Sequence, residues 1–460
     1  MFVVMSSVSP PVQEKSLFLE TFGCQMNVSD SEKIIGMLKG IGYSPTDEPS
    51  GADLIILNTC SVRFKAEHKV YSQLGRYKRL KDLNRRLILA VGGCVAQQEG
   101  ERLLKKVPYL DLVFGTHNLH LLPELVKAAE EGRRIAEVDF IDNETRLDLF
   151  PADTGEGIAR FVTVMQGCDN FCSYCIVPHV RGREISRRSA DILAEIGGMA
   201  SRGTREVTLL GQNVNSYGLK SPGELDFASL LREVAGIDGI ERIRFTTSHP
   251  RDLSPALIAC FADLPKLCDH IHLPAQTGSD RILARMNRGY TRREYLDRIA
   301  ALKAARPGIQ ITGDMIVGFP GETEEDFGLT LQLMEEVGYA DLFSFIYSER
   351  PGTRAAELPD PLDRREKQRR LDMLQSLQRK MTAARNRGLV GSRQQVLVEG
   401  ASRQGDQLTG RTSGNRVVNF PGDPRLIGAV VAVDIVTAYP NSLLGEIAGP
   451  EAGASVPAKG

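Results

Sequence analysis

The run Gly167-Cys168-Asp169-Asn170-Phe171-Cys172-Ser173-Tyr174-Cys175 follows an apolar stretch, Phe161-Val162-Thr163-Val164-Met165, that reads as a strand. Its C-x3-C-x2-C spacing brings three thiolates into one small volume. A structural zinc knuckle and a fully held 4Fe-4S cube each take four protein ligands, so a compact trio leaves one metal corner open to a small molecule. The alternative is a zinc site closed by a nearby histidine such as His179. The tight spacing, the place just past a strand and the lack of a partner CxxC favour the iron-sulfur reading.

Downstream of this run the pattern strand, loop, helix recurs. Strand candidates after the first are Val207-Thr208-Leu209-Leu210, Ile243-Arg244-Phe245-Thr246, His270-Ile271-His272-Leu273, Ile311 to Val317 and Leu342 to Tyr347. Six such units predict a partial (β/α)6 barrel, with its working residues just past the strand ends. Leu210-Gly211-Gln212-Asn213 and Gly318-Phe319-Pro320-Gly321-Glu322 are loops of this kind, although each alone is an ordinary glycine turn.

Upstream, three buried-type runs each lead into a cysteine: Leu17-Phe18-Leu19 towards Gly23-Cys24, Leu54-Ile55-Ile56-Leu57 into Asn58-Thr59-Cys60, and Leu87 to Val91 into Gly92-Gly93-Cys94. Open parallel sheets place ligands at the carboxyl ends of their strands, so a second trio, Cys24, Cys60 and Cys94, is expected. The bland alternative is three unrelated core thiols. Ser29 and Glu32 suggest a capping box for the helix after the first loop. Cys260 and Cys268 read as incidental thiols.

The 460 residues suggest roughly two to four domains. The expected fold is α/β: an N-terminal parallel-sheet domain over 14–132, an acidic linker over 133–153, the partial barrel over 154–386, a small all-β barrel over 387–450 and a tail over 451–460. A basic amphipathic helix over 362–387 carries Leu371, Leu374, Leu377 and Met381 on one stripe, with Gly388 as its stop. The small barrel is read from strands around 395–398, 407–409, 416–420 and 429–436. Net charge is only -1, yet residues 361 to 420 carry 13 Lys+Arg against 5 Asp+Glu, a local +8 that suits a polyanion or a solvated helix face. No run spans a bilayer, so a cytoplasmic protein without a membrane partner is expected, with cysteines kept for metal or redox chemistry.

The C-x3-C-x2-C run with Tyr174 before its last cysteine resembles the radical S-adenosylmethionine (SAM) enzymes. Thr21-Phe22-Gly23-Cys24-Gln25-Met26-Asn27, Asn58-Thr59-Cys60-Ser61-Val62-Arg63 and Gly92-Gly93-Cys94 resemble the N-terminal domain of the methylthiotransferases within that superfamily. Thr246-Thr247-Ser248-His249-Pro250, His272 to Asp280, Met286 to Thr291 and Gly410-Arg411-Thr412-Ser413-Gly414-Asn415 are similar to the branch that modifies isopentenyladenosine in tRNA. The resemblance runs from about 16 to 448 and ends in a TRAM barrel.

That resemblance implies two 4Fe-4S clusters and SAM. Cys168, Cys172 and Cys175 would hold the SAM-binding cluster and Cys24, Cys60 and Cys94 an auxiliary one, with Tyr174, Gly211, Gln212, Gln276, Gly318 and Glu322 around the cofactor and no lone acid or base in charge. One SAM would methylate a sulfur held at the auxiliary cluster and another would yield the radical that activates C2 of N6-isopentenyladenosine at position 37, the two clusters facing one cavity. Arg411, Asn415 and Arg416 would meet the tRNA anticodon stem-loop, and Phe420 and Tyr439 are stacking candidates more readily placed in the core. Expected partners are an electron donor such as flavodoxin or ferredoxin and iron-sulfur carrier proteins, with the chain itself a monomer. The competing acceptors are threonylcarbamoyladenosine of tRNA and an aspartate of a ribosomal protein; a non-catalytic Fe-S RNA-binding protein is the rival of another class.

Overall fold

Three adjacent strands end in the loops that carry Cys24, Cys60 and Cys94. The structure is a computed structural model that describes residues 14–61, 64–140, 157–402 and 405–449. Val62 and Arg63, most of the expected linker and the expected tail lie outside the described residues. The chain divides into two units, Met1–Gly155 with Ile176–Gly182, and Glu156–Cys175 with Arg183–Gly460.

In the first unit, β1 (Lys15–Thr21), β2 (Tyr43–Pro45), β3 (Leu54–Thr59), β4 (Ile88–Gly93), β5 (Leu112–Phe114) and β6 (Ile135–Glu137) form one sheet in the order β2-β1-β3-β4-β5-β6. All five pairings are parallel. The apolar runs of β3 and β4 are buried throughout, because helices cover both faces of such a sheet. Leu54, Ile56, Ile88 and Ala90 pack on one side with Ile34 and Leu38, while Ile55, Leu57, Leu89 and Val91 pack on the other with Val70 and Leu74. The strand order reverses between β1 and β3, the position where such sheets open a ligand crevice. Cys24 and Cys60 follow those two strands. Ile176–Gly182 joins this unit because Ile176 and Val180 bury themselves against Cys94.

The second unit opens with β7 (Ala159–Thr163), a short hairpin of β8 (Met165–Gln166) and β9 (Ile185–Ser186), then β10 (Glu206–Leu210), β11 (Arg242–Thr246), β12 (His270–His272), β13 (Gln310–Val317) and β14 (Asp341–Ile346). Parallel pairing runs β7-β10-β11 and β12-β13-β14, and a bridge from Ile243 to Leu267 joins the two sets into the expected six-stranded arc. Helices sheath its outside, where Val162, Val207, Leu209, Ile243, Phe245, Ile271, Ile311 and Met315 form the main core. The cysteine run leaves the carboxyl end of this arc.

The helix Arg364–Arg387 closes the open edge beside β14. Asp363 caps it, Leu374 is fully buried, and Leu371, Leu377 and Met381 pack on the arc's core as the stripe predicts. After it come β15 (Arg393–Ala401), β16 (Leu408–Thr412), β17 (Val417–Phe420), β18 (Val430–Ala438) and β19 (Leu443–Ile447), a closed barrel. The sequence pattern predicts four of these strands. The fifth, Leu-Leu-Gly-Glu-Ile, is too short and mixed to announce itself, and it closes the barrel by pairing with β17 and β18.

This barrel is fixed to the amino end of the arc. Arg242 donates to the carbonyls of Arg411 and Gln395, and Arg244 donates to those of Thr412 and Ser413 while pairing with Glu206 at 2.9 Å. No helix among the described residues is long and apolar enough to cross a membrane.

Candidate metal centres and active site

Cys24 stands at the amino end of the helix Gln25–Lys39, one turn earlier than the Ser29/Glu32 capping box predicts. The cap pairs Cys24 with Asn27 instead, the Cys24 N–H and thiol both donating to Asn27 Oδ1 at 3.4 and 3.3 Å. Asn27 is locked in turn, its amide donating to Asn58 Oδ1 and Thr59 O at 3.2 and 3.1 Å. Thus the loops after β1 and β3 are one hydrogen-bonded block. Gly23 and Gly93 are required by space: a Cβ on Gly23 would stand 2.6 Å from Cys60 Cβ, and one on Gly93 would stand 2.4 Å from Thr59 O. Both also adopt positive φ, which glycine alone takes without strain.

The three thiols share one electrostatic environment. A hydrogen bond with Cys60, helped by the Arg181 charge and the helix-end N–H groups, pulls Cys24 down to about 6 against its burial, although the residue as a whole is exposed. Burial pushes Cys94 up, with Arg181 opposing. Arg181 reaches this point from the segment after Cys175 and pairs with Asp30 at 2.7 Å; burial works against its charge, but Asp30 and the two thiols hold it firmly protonated. No local spacing marks Arg181, because its partner Asp30 lies 151 positions away.

The second trio hangs between two arms. Gln212 Oε1 accepts from the Gly167 N–H at 2.6 Å, steadying the approach to Cys168, and the Ser173 N–H donates to Met286 O at 3.0 Å. Arg288 donates to Cys172 Sγ at 3.3 Å and to Pro274 O at 2.8 Å, and its Nε donates to the Tyr290 hydroxyl at 3.2 Å. His249 Nδ1 accepts from the Arg251 N–H at 3.2 Å, so its proton sits on Nε2, which faces Cys172 Sγ at 4.0 Å. Burial, with the charges of Arg288 and Arg251, keeps this histidine neutral. Burial also raises Cys168 to about 11 and Tyr174 well above the usual phenol range. His249 and Arg288 lie in stretches that carry the family resemblance, but nothing in their spacing marks them as neighbours of a thiol.

Both trios fit an iron-sulfur cluster by their donor chemistry. Ser61 Oγ beside Cys60, and Gln166 Nε2, Asn170 Nδ2 and Ser248 Oγ in the segments flanking Cys168 and His249, are buried polar atoms without a partner, as expected where a polar group belongs. No three Cys, His, Asp or Glu side chains among the described residues close on one point as a single ion requires. A cube instead takes each thiolate at a different iron. His179, the alternative zinc ligand, lies in Ile176–Gly182 of the first unit.

The remaining candidates fall into place unevenly. Gly211 packs so closely on Met165 that a Cβ would stand 2.5 Å from its Cγ. Gln276 extends the sheet beside Met315 with φ of 74°. Glu322 is buried and takes Arg370 Nη1 at 2.6 Å and the Gly318 N–H at 3.0 Å, so its carboxylate ties this loop to the helix Arg364–Arg387. In the small barrel, Arg411 pairs with Glu399 at 3.2 Å and bonds Asn415, while Arg416 donates to Ala340 O at 2.6 Å and serves to anchor the barrel. Phe420 is core, and Tyr439 is 50% exposed and belongs to the surface.

Comparison with known proteins agrees with this architecture. Residues 16–115 match the uncharacterized protein family UPF0004, 162–334 the radical SAM superfamily and 387–448 the TRAM domain. The fold is shared with a radical S-adenosylmethionine methyltransferase from Kitasatospora setae, at a TM-score of 0.57 and 14% identity over 84% of this chain and 79% of that one. Fold and thiols therefore define a radical SAM protein bearing a TRAM barrel. Proteins described as tRNA-2-methylthio-N(6)-dimethylallyladenosine synthase are 71% identical in Geobacter metallireducens, over 95% of this chain and 99% of that protein, and 52% identical in Syntrophus aciditrophicus, over 95% of each. The chain belongs to the family of tRNA-2-methylthio-N(6)-dimethylallyladenosine synthases.

Proposed function

We propose that this chain is a radical SAM methylthiotransferase that converts N6-dimethylallyladenosine at position 37 of tRNA, beside the anticodon, to its 2-methylthio derivative. One SAM serves as methyl source and a second as radical source. The observation that carries this reading is the pair of three-cysteine sets on two different scaffolds, each with a buried arginine beside a thiol. An aromatic C–H at C2 is no acid for a side-chain base, so the chemistry calls for a radical. When bound, a 4Fe-4S cluster supplies the electron that cleaves SAM to a 5'-deoxyadenosyl radical.

The protein's own part is to hold and tune. Cys168, Cys172 and Cys175 hold the cluster that meets SAM, while Arg288 and His249 direct N–H groups at Cys172. Gln212 fixes the loop entering Cys168, and Tyr174, Gly211, Gln276, Gly318 and Glu322 shape the surrounding loops. Cys24, Cys60 and Cys94 hold the second cluster, with Arg181 balancing their charge. Arg411 and Asn415, the exposed Tyr439, and the exposed Arg364, Arg365, Arg379, Lys380 and Arg387 of the long helix form the RNA-facing set, through phosphate contacts and stacking. The protein acts as a cytoplasmic monomer, fed by a flavodoxin- or ferredoxin-like donor and by iron-sulfur carriers.

The test is anaerobic reconstitution with iron, sulfide, SAM and a reductant on a stem-loop carrying N6-dimethylallyladenosine, followed by nucleoside mass spectrometry. The 2-methylthio nucleoside is expected. Its absence alongside 5'-deoxyadenosine formation would assign a different acceptor.

A further inference from the structure

Phe343 and Phe345 on β14 are 53% and 37% exposed, although they belong to the central arc. Their neighbours account for the other face of the strand. Leu342 and Ile346 pack in the helix-covered core, and Ser344 Oγ takes a hydrogen bond from Gln375 of the helix Arg364–Arg387 at 3.3 Å. Side chains alternate along a strand, so Phe343 and Phe345 both turn to the concave inner face. Pairing with β13 sets Asp314 beside Phe343 and the half-buried Ile316 beside Phe345. His272 meets Phe343 edge-on at 6.2 Å between centroids. Its own nitrogens are engaged by Thr312 Oγ1 at 3.1 Å and Asp314 Oδ2 at 3.5 Å. Phe345 and Ile316 lie towards the carboxyl end of the arc, the end that carries the cysteine run.

Two phenyl rings left open on the inner wall of a barrel are apolar area kept for a ligand, because folding would otherwise cover them. We propose that Phe343, Phe345 and Ile316 receive the N6-dimethylallyl group of the adenosine and so select the acceptor. This rests on the function proposed above. The neutral five-carbon substituent gains by leaving water. The carboxylate of a threonylcarbamoyl substituent meets the phenyl faces and, beside Phe343, the like charge of Asp314. The site therefore discriminates by burial and by repulsion together.

The test uses the full-length reconstituted holoenzyme and stem-loops carrying adenosine, N6-methyl-, N6-isopentyl-, N6-dimethylallyl- or threonylcarbamoyl-adenosine at one position, with binding read by fluorescence anisotropy. Affinity is expected to climb by up to about fourfold per buried CH2 through the apolar series, with no gain for threonylcarbamoyl. Phe343→Ala with Phe345→Ala is expected to flatten the series, and Phe343→Leu with Phe345→Leu to keep it. A flat series in the natural protein, or one retained by the double alanine variant, overturns the pocket; if that variant does not fold, the natural protein's series decides. A flat series with methylthio product still formed removes the pocket and leaves the function standing. A steep series without methylthio product does the reverse.

Discussion

Arg181 Nη2 donates to Asp30 Oδ2 at 2.7 Å, with 4% and 9% of the two side chains exposed. A buried ion pair is weak grounds for stability by itself, but removing one partner strands the other, at a cost of about 3–5 kcal/mol. Here the stranded groups would include Asp30 and the Cys24 thiolate. Arg181→Gln is expected to lower the thermal midpoint of the metal-free protein and to leave it taking up less iron on reconstitution. Asp30→Asn keeps the positive charge near the thiols and is expected to spare iron uptake better. Equal uptake by Arg181→Gln and the natural protein would contradict the charge-balancing role.

The Cys24 thiol provides a pH signature. Its value of about 6 lies below the ordinary 9.0, chiefly through its hydrogen bond with Cys60. A depressed value means that ionisation favours the folded state. This contribution is fully present above about pH 9 and is lost as pH falls through about 6. Iodoacetamide labelling of Cys24 in the metal-free chain, followed by peptide mass spectrometry, is expected to be half-maximal near pH 6. A midpoint near 9 would show that the thiol lacks these partners.

Arg288 and His249 aim N–H groups at the same sulfur, Cys172 Sγ. Donors to a ligand sulfur stabilise the more negative, reduced cluster and raise its potential. Arg288→Gln is therefore expected to lower the midpoint of the cluster proposed at Cys168, Cys172 and Cys175, followed by electron paramagnetic resonance during a redox titration. His249→Ala is expected to shift it less, since its contact is longer. An unchanged midpoint in Arg288→Gln would mean that the guanidinium only braces Pro274.

Much of this was legible in sequence for identifiable reasons. Strands β3 and β4 follow from unbroken apolar runs, because a doubly covered parallel strand has to be apolar along its length, while the arc strands, helix-covered only outside, follow from the recurring strand, loop, helix pattern. The stripe of the long helix was equally plain. Long-range electrostatics was not: Arg181 with Asp30, and Arg288 with Cys172, are brought together only by the fold. Glu322 shows the same limit of local reading. The family resemblance places it around the cofactor, but nothing local announces the arginine 48 positions on that engages its carboxylate. The strand β19 escaped because a five-residue segment with glycine at its centre carries almost no periodicity.

That engagement has its own consequence. Glu322 and Arg370 are 1% and 3% exposed in their side chains and hold the loop after β13 to the long helix. Glu322→Ala is expected to cost about 3–5 kcal/mol, read as a fall in the denaturant midpoint, with Glu322→Gln milder because it retains an acceptor. Equal midpoints for the alanine variant and the natural protein would show that the helix is held by its apolar stripe alone.

In the proposed function the first trio serves sulfur transfer while the second makes the radical. The most direct measurement is nucleoside and SAM-product mass spectrometry on the anaerobically reconstituted variant with Cys24, Cys60 and Cys94 all changed to Ala. 5'-Deoxyadenosine is expected to persist and the 2-methylthio nucleoside to vanish. Methylthio product from that variant would contradict it.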